Sequence, residues 1–292
     1  MQYHEPVLLE ETIGFLKVEK GKRYVDCTLG DGGHTVEILK KGGKVLGIDS
    51  EEGSLERAMR RIEDLGLKDG FIGVLGNFRN IENLAGNCGF TQVDGILYDL
   101  GFSSSQLETG IGLSFQTDDP LDMRLDKSLE VTAADLLNAL SERELEKMFF
   151  EYGNERYSRR FAKAIVDFRS LKRLETTKEL AELLVATAPP GYENGRIHQA
   201  TRVFQALRIA VNDEFGNLEH SLPRAARMLL PGGRMLVITF HSLEDKLVKE
   251  FGRSVRPGVC LITKKPVRPD QEEVDRNVRS RSAKMYVFER NA

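Results

Sequence analysis

The chain has 292 residues, enough for one large domain or two smaller ones, and its 40% hydrophobic content supports a sizeable core. A net charge of −3 provides no whole-molecule field that would draw in nucleic acid, so any such contact must be local. Three widely spaced cysteines, Cys27, Cys88 and Cys260, form no C-x-x-C pair and argue against a zinc or disulfide framework, while residues 1–6 are polar and no apolar run approaches the roughly 20 residues needed to cross a bilayer. A reducing cytoplasm and no membrane contact are the expectations.

Strand and helix signals alternate over the first hundred residues. A strand over 23–29 runs into Asp26-Cys27-Thr28-Leu29-Gly30-Asp31-Gly32-Gly33-His34-Thr35, and a helix over 34–41 follows. A glycine-rich strand-to-helix turn lets backbone N–H groups approach a ligand closely. The next strand, 44–49, ends in Asp49, about twenty residues past the first glycine, where a ribose-binding carboxylate is usually found. The pair points to a nucleoside-bearing cofactor. A dinucleotide turn reads G-x-G-x-x-G, but Thr35 stands where the third glycine would be. Asp26 and Asp31 around the turn would repel a pyrophosphate and suit the sulfonium and ammonium of S-adenosylmethionine. An NAD-dependent oxidoreductase is disfavoured on the same grounds.

A helix over 52–65, a strand over 71–76, a helix over 80–87 and a strand over 93–100 complete this half. Strands alternating with helices imply a parallel sheet, with its ligand beyond the C-terminal strand ends. Asp26, Asp49, Asn77-Phe78 and Asp99 all fall at such ends. Asp99 leads into a Gly/Ser-rich loop in which Phe102 can stack on a base and Gln106 can bind a ligand.

The alternation then stops. From about 106 to 200 the signals are helical, at 132–139, 141–151, 155–169 and 177–187. Thr132 can cap the first helix, and Ser141 with Glu144 reads as a capping box for the second. Pro189-Pro190-Gly191 marks a closing loop. A helical stretch over 200–230 with a break near Gly216 follows, then strands at 234–240, 259–264 and 284–289. The chain therefore divides into a discontinuous α/β domain, 1–105 with 200–292, and a helical insertion, 106–199, placed to recognise a substrate.

Three further features bear on chemistry. His241 opens the segment His241-Ser242-Leu243-Glu244-Asp245, in which Ser242 and Asp245 read as a helix-capping pair. His4 and His34 lack metal-ligand spacing, so no metal is expected. Arg156 to Lys163 and Val278 to Lys284 are locally basic, the first interleaved with aromatics. Either can contact phosphates, though either alone is more simply a solvated charged face.

Five blocks carry a resemblance: Gly30-Asp31-Gly32-Gly33-His34, Asp94-Gly95-Ile96-Leu97-Tyr98-Asp99-Leu100-Gly101, Asp119-Pro120-Leu121-Asp122-Met123-Arg124, Ala200-Thr201-Arg202-Val203-Phe204-Gln205-Ala206-Leu207-Arg208 and Phe240-His241-Ser242-Leu243-Glu244-Asp245. In this order they resemble the bacterial ribosomal RNA small subunit methyltransferase H family, cytosine-N4 methyltransferases of 16S rRNA. The resemblance runs from His4 to Ala283. It implies a class I S-adenosylmethionine-dependent methyltransferase fold, Rossmann-like and mostly parallel, with a helical insertion. It also implies S-adenosylmethionine as cofactor and 16S rRNA or the small subunit as partner. Gly32, Gly33, His34, Asp49, Phe78, Asp99 and Gln106 match the family's cofactor-binding positions. Gln199 stands where the family usually has Pro, and Ile111-Gly112-Leu113 where it has Arg-Gly-Phe. Asp99 is the candidate proton acceptor, although the chain reads Asp99-Leu100-Gly101-Phe102 where many amine methyltransferases carry D/N-P-P-aromatic. Competing expectations are a methyltransferase of a small molecule or protein, and a non-catalytic RNA-binding assembly protein. Oligomeric state is not legible.

Overall fold

The computed structural model describes residues 5–101, 110–255 and 257–291. It divides into two compact units, one formed by residues 1–103 and 215–292, the other by residues 104–214.

The elements in chain order are α1 (Leu9–Leu16), β1 (Arg23–Asp26), α2 (Gly33–Lys40), β2 (Lys44–Asp49), α3 (Glu52–Asp64), β3 (Phe71–Leu75), α4 (Ile81–Asn87) and β4 (Val93–Asp99). The second unit holds α5 (Ala133–Ala139), α6 (Glu142–Gly153), α7 (Ser158–Arg169), α8 (Thr177–Thr187) and α9 (Thr201–Asn212). The chain returns through α10 (Glu214–Met228), β5 (Leu229–Thr239), α11 (Ser242–Ser254), β6 (Val259–Leu261), α12 (Gln271–Arg276) and β7 (Lys284–Arg290).

The first unit is a seven-stranded sheet in the order β3-β2-β1-β4-β5-β7-β6. β1 to β5 run parallel, and β7 lies antiparallel between β5 and β6. This is a mostly parallel, Rossmann-like sheet. The chain winds outward from β1 through β2 to β3, then returns to place β4 on the other side of β1. That reversal opens a crevice at the C-terminal ends of β1 and β4.

The strands are apolar on both sides because both faces are covered. Val25, Leu46, Ile48, Ile96, Tyr98, Met235, Val237 and Phe288 pack one face, under residues of α4, α10 and α11. Tyr24, Val45, Leu97, Leu236, Ile238, Met285 and Val287 pack the other, under α1 and α2. The alternation is the period of two that a pleated strand imposes. Helix α1 is an addition to the elements read from sequence. β1 ends at Asp26, earlier than the pattern suggested, because the Asp26 carboxylate accepts from the Thr28 N–H (3.3 Å) and bends the chain.

The second unit has its own core, built on Leu137, Leu145, Phe149, Phe161, Ile165, Leu180, Leu184, Phe204 and Leu207. Thr132 and Ser141 form capping boxes with Asp135 and Glu144, and Thr176 forms a third with Glu179. α9 belongs to this unit, so the second junction lies at 214–215 rather than 199–200. The reason is packing. The apolar side of α9, with Val203, Phe204, Ala206 and Leu207, joins the helical core. A Cβ at Gly153 of α6 would stand 2.5 Å from the Arg202 carbonyl, so only glycine permits that approach. The helical break falls at Asp213, left-handed with φ 46°, and not at Gly216.

Candidate active site at the carboxyl edge of the sheet

The turn after β1 is fixed from three sides. Gly32 has φ 74° and is the residue before α2, with no side-chain cap on that helix. A Cβ on Gly33 would meet the Pro6 ring at 3.0 Å, so the N-terminal segment is packed directly on the turn. Asp49, at the end of β2, accepts from the Gly30 N–H at 2.8 Å and from the Glu51 N–H at 2.9 Å. Each of its oxygens thus receives one backbone donor and keeps a second acceptor direction.

β4 is tied to the same turn. The Asp99 N–H donates to Thr28 Oγ1 at 2.7 Å, and Asp99 Oδ2 lies 3.8 Å from His34 Nδ1. His34 is buried, with Nε2 at 3.0 Å from the Val7 carbonyl. Because a carbonyl only accepts, Nε2 carries a proton. Asp99 Oδ1 is buried and lacks a hydrogen-bond partner among the described residues. Phe78 opens a single turn just after β3 and meets Tyr98 edge to face at 5.5 Å. Gly32, Gly33, His34, Asp49, Phe78 and Asp99 are therefore gathered at one edge. Gln106 and Phe102 lie outside the described residues.

This edge is acidic and desolvated. Burial lifts the carboxyls of Asp26 and Asp49 to about 6. Burial, and secondarily the nearby Asp26, lifts Asp99 to about 7. Among the described residues no lysine or arginine pairs with any of the three. A ligand that brings positive charge is what such an edge lacks.

Two residues of the turn have roles other than those their sequence positions imply. Asp31 does not face a ligand as a free charge, since Arg57 Nε donates to its carboxylate at 2.9 Å. Thr35 is not merely an absent glycine. Its hydroxyl donates to buried Asp26 at 2.8 Å, which Gly could not do. The preference against a pyrophosphate rests instead on Asp26, Asp49 and Asp99. Thr28 and Thr35 were missed as site residues; the only hint was their position, hydroxyls flanking the turn beside a buried acid.

His241 is also explained. It is itself the residue before α11, accepting from the Glu244 N–H, and Glu244 returns the bond. The capping pair is one residue earlier than Ser242 with Asp245. Asp245 instead holds Thr239 Oγ1 at 2.6 Å and pairs with Lys284. Other recognised blocks serve the second unit. Asp122 grips Arg124 through both oxygens, Arg208 pairs with Glu214, and Gln205 donates to the Tyr152 carbonyl. At Gly112, φ is 83° and a Cβ would fall 2.3 Å from the Pro120 carbonyl, so the glycine is required.

The family model described as the MraW methylase family matches residues 1–291. The chain belongs to this family. A curated relative named ribosomal RNA small subunit methyltransferase H, from Carboxydothermus hydrogenoformans, is 46% identical over 98% of this chain and 97% of its own. One of the same name from Persephonella marina is 42% identical over 99% of this chain and 100% of its own. Among solved structures, an rRNA methylase from Streptococcus thermophilus is 11% identical over 97% of this chain and 95% of its own, at a TM-score of 0.47. As a member of the methylase family the chain is an S-adenosylmethionine-dependent methyltransferase, and the cation-seeking edge fits that cofactor's sulfonium and ammonium.

Proposed function

We propose that this methylase transfers a methyl group from S-adenosylmethionine to the exocyclic N4 of a cytidine in 16S rRNA. The observation that carries the reading is Asp99. It is a partly buried carboxyl whose buried Oδ1 has no hydrogen-bond partner among the described residues, at the end of the strand beside the glycine turn. Bound S-adenosylmethionine supplies a methyl already activated on a sulfonium. The turn at residues 30–34 holds the methionine end, with the backbone N–H groups that open α2 available to its carboxylate. Asp49 takes the ribose hydroxyls through its remaining acceptor directions. Phe78 packs against the adenine.

The protein's chief work is then alignment of amine, methyl and sulfur in line. Cytosine N4 is a weak nucleophile because its lone pair is delocalised into the ring. Asp99 accepts an N4–H bond, favours pyramidalisation at nitrogen, and takes the proton as the new bond forms. A carboxyl raised to about 7 is matched to accepting a proton near neutrality. His34, anchored on Val7, lies beside Asp99 and bounds the space on that side of the carboxyl. The target base must leave its stack to reach the site, so an unpaired or splayed nucleotide is the substrate. Residues 104–214 form the substrate-recognition unit. Among the described residues no helix is long and apolar enough to cross a membrane, and Cys27, Cys88 and Cys260 are free thiols, which supports a cytoplasmic setting.

The test is mass spectrometry of 16S rRNA incubated with the protein and S-adenosylmethionine. A gain of one methyl on a cytidine is expected, at N4 by fragmentation. Methylation elsewhere, or none with cofactor bound, overturns the reading.

A further inference from the structure

The helical unit contains two populations of arginine. Arg124, Arg173, Arg202 and Arg208 are held by Asp122, Asp135, Glu193 and Glu214, and Arg169 donates to the Leu137 carbonyl. Arg156, Arg159 and Arg160 are exposed and, among the described residues, make no ion pair or side-chain hydrogen bond. They crowd into the start of α7, where the adjacent acid, Glu155, is buried and engaged. Its oxygens receive the Tyr157 N–H at 2.7 Å and the Tyr192 hydroxyl at 2.5 Å. Lys163, one turn further on, is paired with Asp167 at 3.1 Å.

The Tyr192 contacts extend the cluster. Its ring lies 5.8 Å from Tyr157 and 6.1 Å from Phe161, pinning the turn Tyr192–Gly195 against the start of α7. That turn leads directly into Arg196, also exposed and without a partner among the described residues. Two aromatics stand in water beside these cations in sequence: Phe150, 63% exposed at the end of α6, and Tyr157, 39% exposed. A protein of net charge −3 that leaves four neighbouring arginines without counter-ions has a local surface of opposite sign to the whole.

We propose that the turn formed by Arg156, Arg159, Arg160 and Arg196 grips the phosphate backbone of the rRNA substrate, with Tyr157 and Phe150 offered to unpaired bases. The charge and its geometry select the partner. Guanidinium groups bind phosphate oxygens in pairs, and exposed rings accept bases that have left their stack. The contrast with Val278 to Lys284 is informative. There Ser280 is buried, Arg279 is partnered, and the segment is a short turn taken into the first unit. Arg281 is exposed there too, but it stands alone, whereas the helical unit gathers three exposed arginines, Arg156, Arg159 and Arg160, within five residues. The proposal rests on the rRNA reading above.

The test is the triple variant Arg156→Gln, Arg159→Gln, Arg160→Gln in the full chain, chosen because all three side chains are exposed. Binding to protein-free 16S rRNA is measured across a salt series, alongside methyl transfer and calorimetric cofactor affinity. The slope of log affinity against log salt is expected to flatten by about 2, and KM for RNA to rise roughly ten-fold or more. Cofactor affinity is expected to match the wild type, which also certifies folding. An unchanged salt slope and KM overturn the surface while leaving the methyltransferase reading intact. A wild type that methylates no rRNA overturns the reading itself. Normal binding to free RNA with impaired methylation of assembled subunits assigns the arginines to a protein partner and overturns the proposal.

Discussion

The carboxyl edge of the sheet and the start of α7 are opposites in charge and in solvation. At the edge, Asp26 and Asp49 are buried, Asp99 is partly buried with its Oδ1 shut off from water, and no lysine or arginine is paired to any of the three among the described residues. At the start of α7, Arg156, Arg159 and Arg160 stand in water without a paired acid among the described residues. The two arrangements solve different problems. A small cation is captured by buried acids, where a low dielectric makes each charge count. A long polyanion is captured by exposed cations, which release counterions and tolerate sliding before the right base is found. Net charge hides both, because they cancel.

The comparison breaks first at Asp99. Asn at this position keeps the shape but cannot take a proton, so turnover on 16S rRNA should fall roughly 10²-fold to 10⁴-fold. Cofactor affinity should change far less. Single-turnover kinetics with saturating cofactor decides; near-normal rates remove Asp99 from proton transfer. Asp49→Ala comes next. It deletes the acceptor for the ribose hydroxyls, and calorimetry should show about 2 kcal/mol lost in cofactor binding. An unaltered affinity would take the ribose away from Asp49.

The buried acids also predict an unusual pH response. Their folded carboxyls lie at about 6 to 7, above the ordinary aspartate value of 3.8. The folded protein therefore holds more protons than the unfolded chain between about 4 and 7, and the stability they contribute is lost as pH rises through that window. The cofactor-free protein should melt at a lower temperature at pH 7.5 than at pH 5.5. Added S-adenosylmethionine should recover more stability at the higher pH. A Tm that rises over the same window would show that these carboxyls are ionised without cost. Turnover should rise as pH increases through about 7, as Asp99 becomes the acceptor form.

Two smaller effects sharpen the contrast. Thr35→Val removes the hydroxyl bonded to Asp26 and should cost about 1 kcal/mol in denaturant unfolding. Lys163→Gln should leave RNA affinity within error, since this cation is already paired at the surface with Asp167. A clear loss there would mean that the contact surface runs further along α7 than its free arginines.

The sheet was legible because alternating apolar strands and amphipathic helices leave a strong local signal, and because acids recur where strands end. The cofactor turn was legible for the same reason. What the sequence concealed was pairing. Nothing local to Asp31 announces Arg57, twenty-six residues on, and nothing near Asp26 announces that Thr35 will close on it. His241 looked surplus because its capping role depends on a backbone geometry one residue off the usual serine pattern. The junction at 214–215 was misplaced because α9 is amphipathic in either unit. The burial of Val203, Phe204, Ala206 and Leu207 in the helical core, with the close approach at Gly153, shows which core receives it.

The strand order carries a consequence for how the chain comes into being. β4 ends at Asp99, and its outer neighbour β5 does not begin until Leu229. During synthesis the inner strands emerge early, yet one edge of the central strand waits for the whole helical unit and α10 to be made. An unpaired edge in the middle of a hydrophobic sheet is a template for wrong partners. The helical unit has its own core and three capping boxes, so it can form while that edge waits. Its folding shortens the span that must be closed before β5 arrives, and so lowers the entropy cost of completing the sheet. The insertion is thus timed as well as placed: a folded spacer between the two halves of the domain it interrupts.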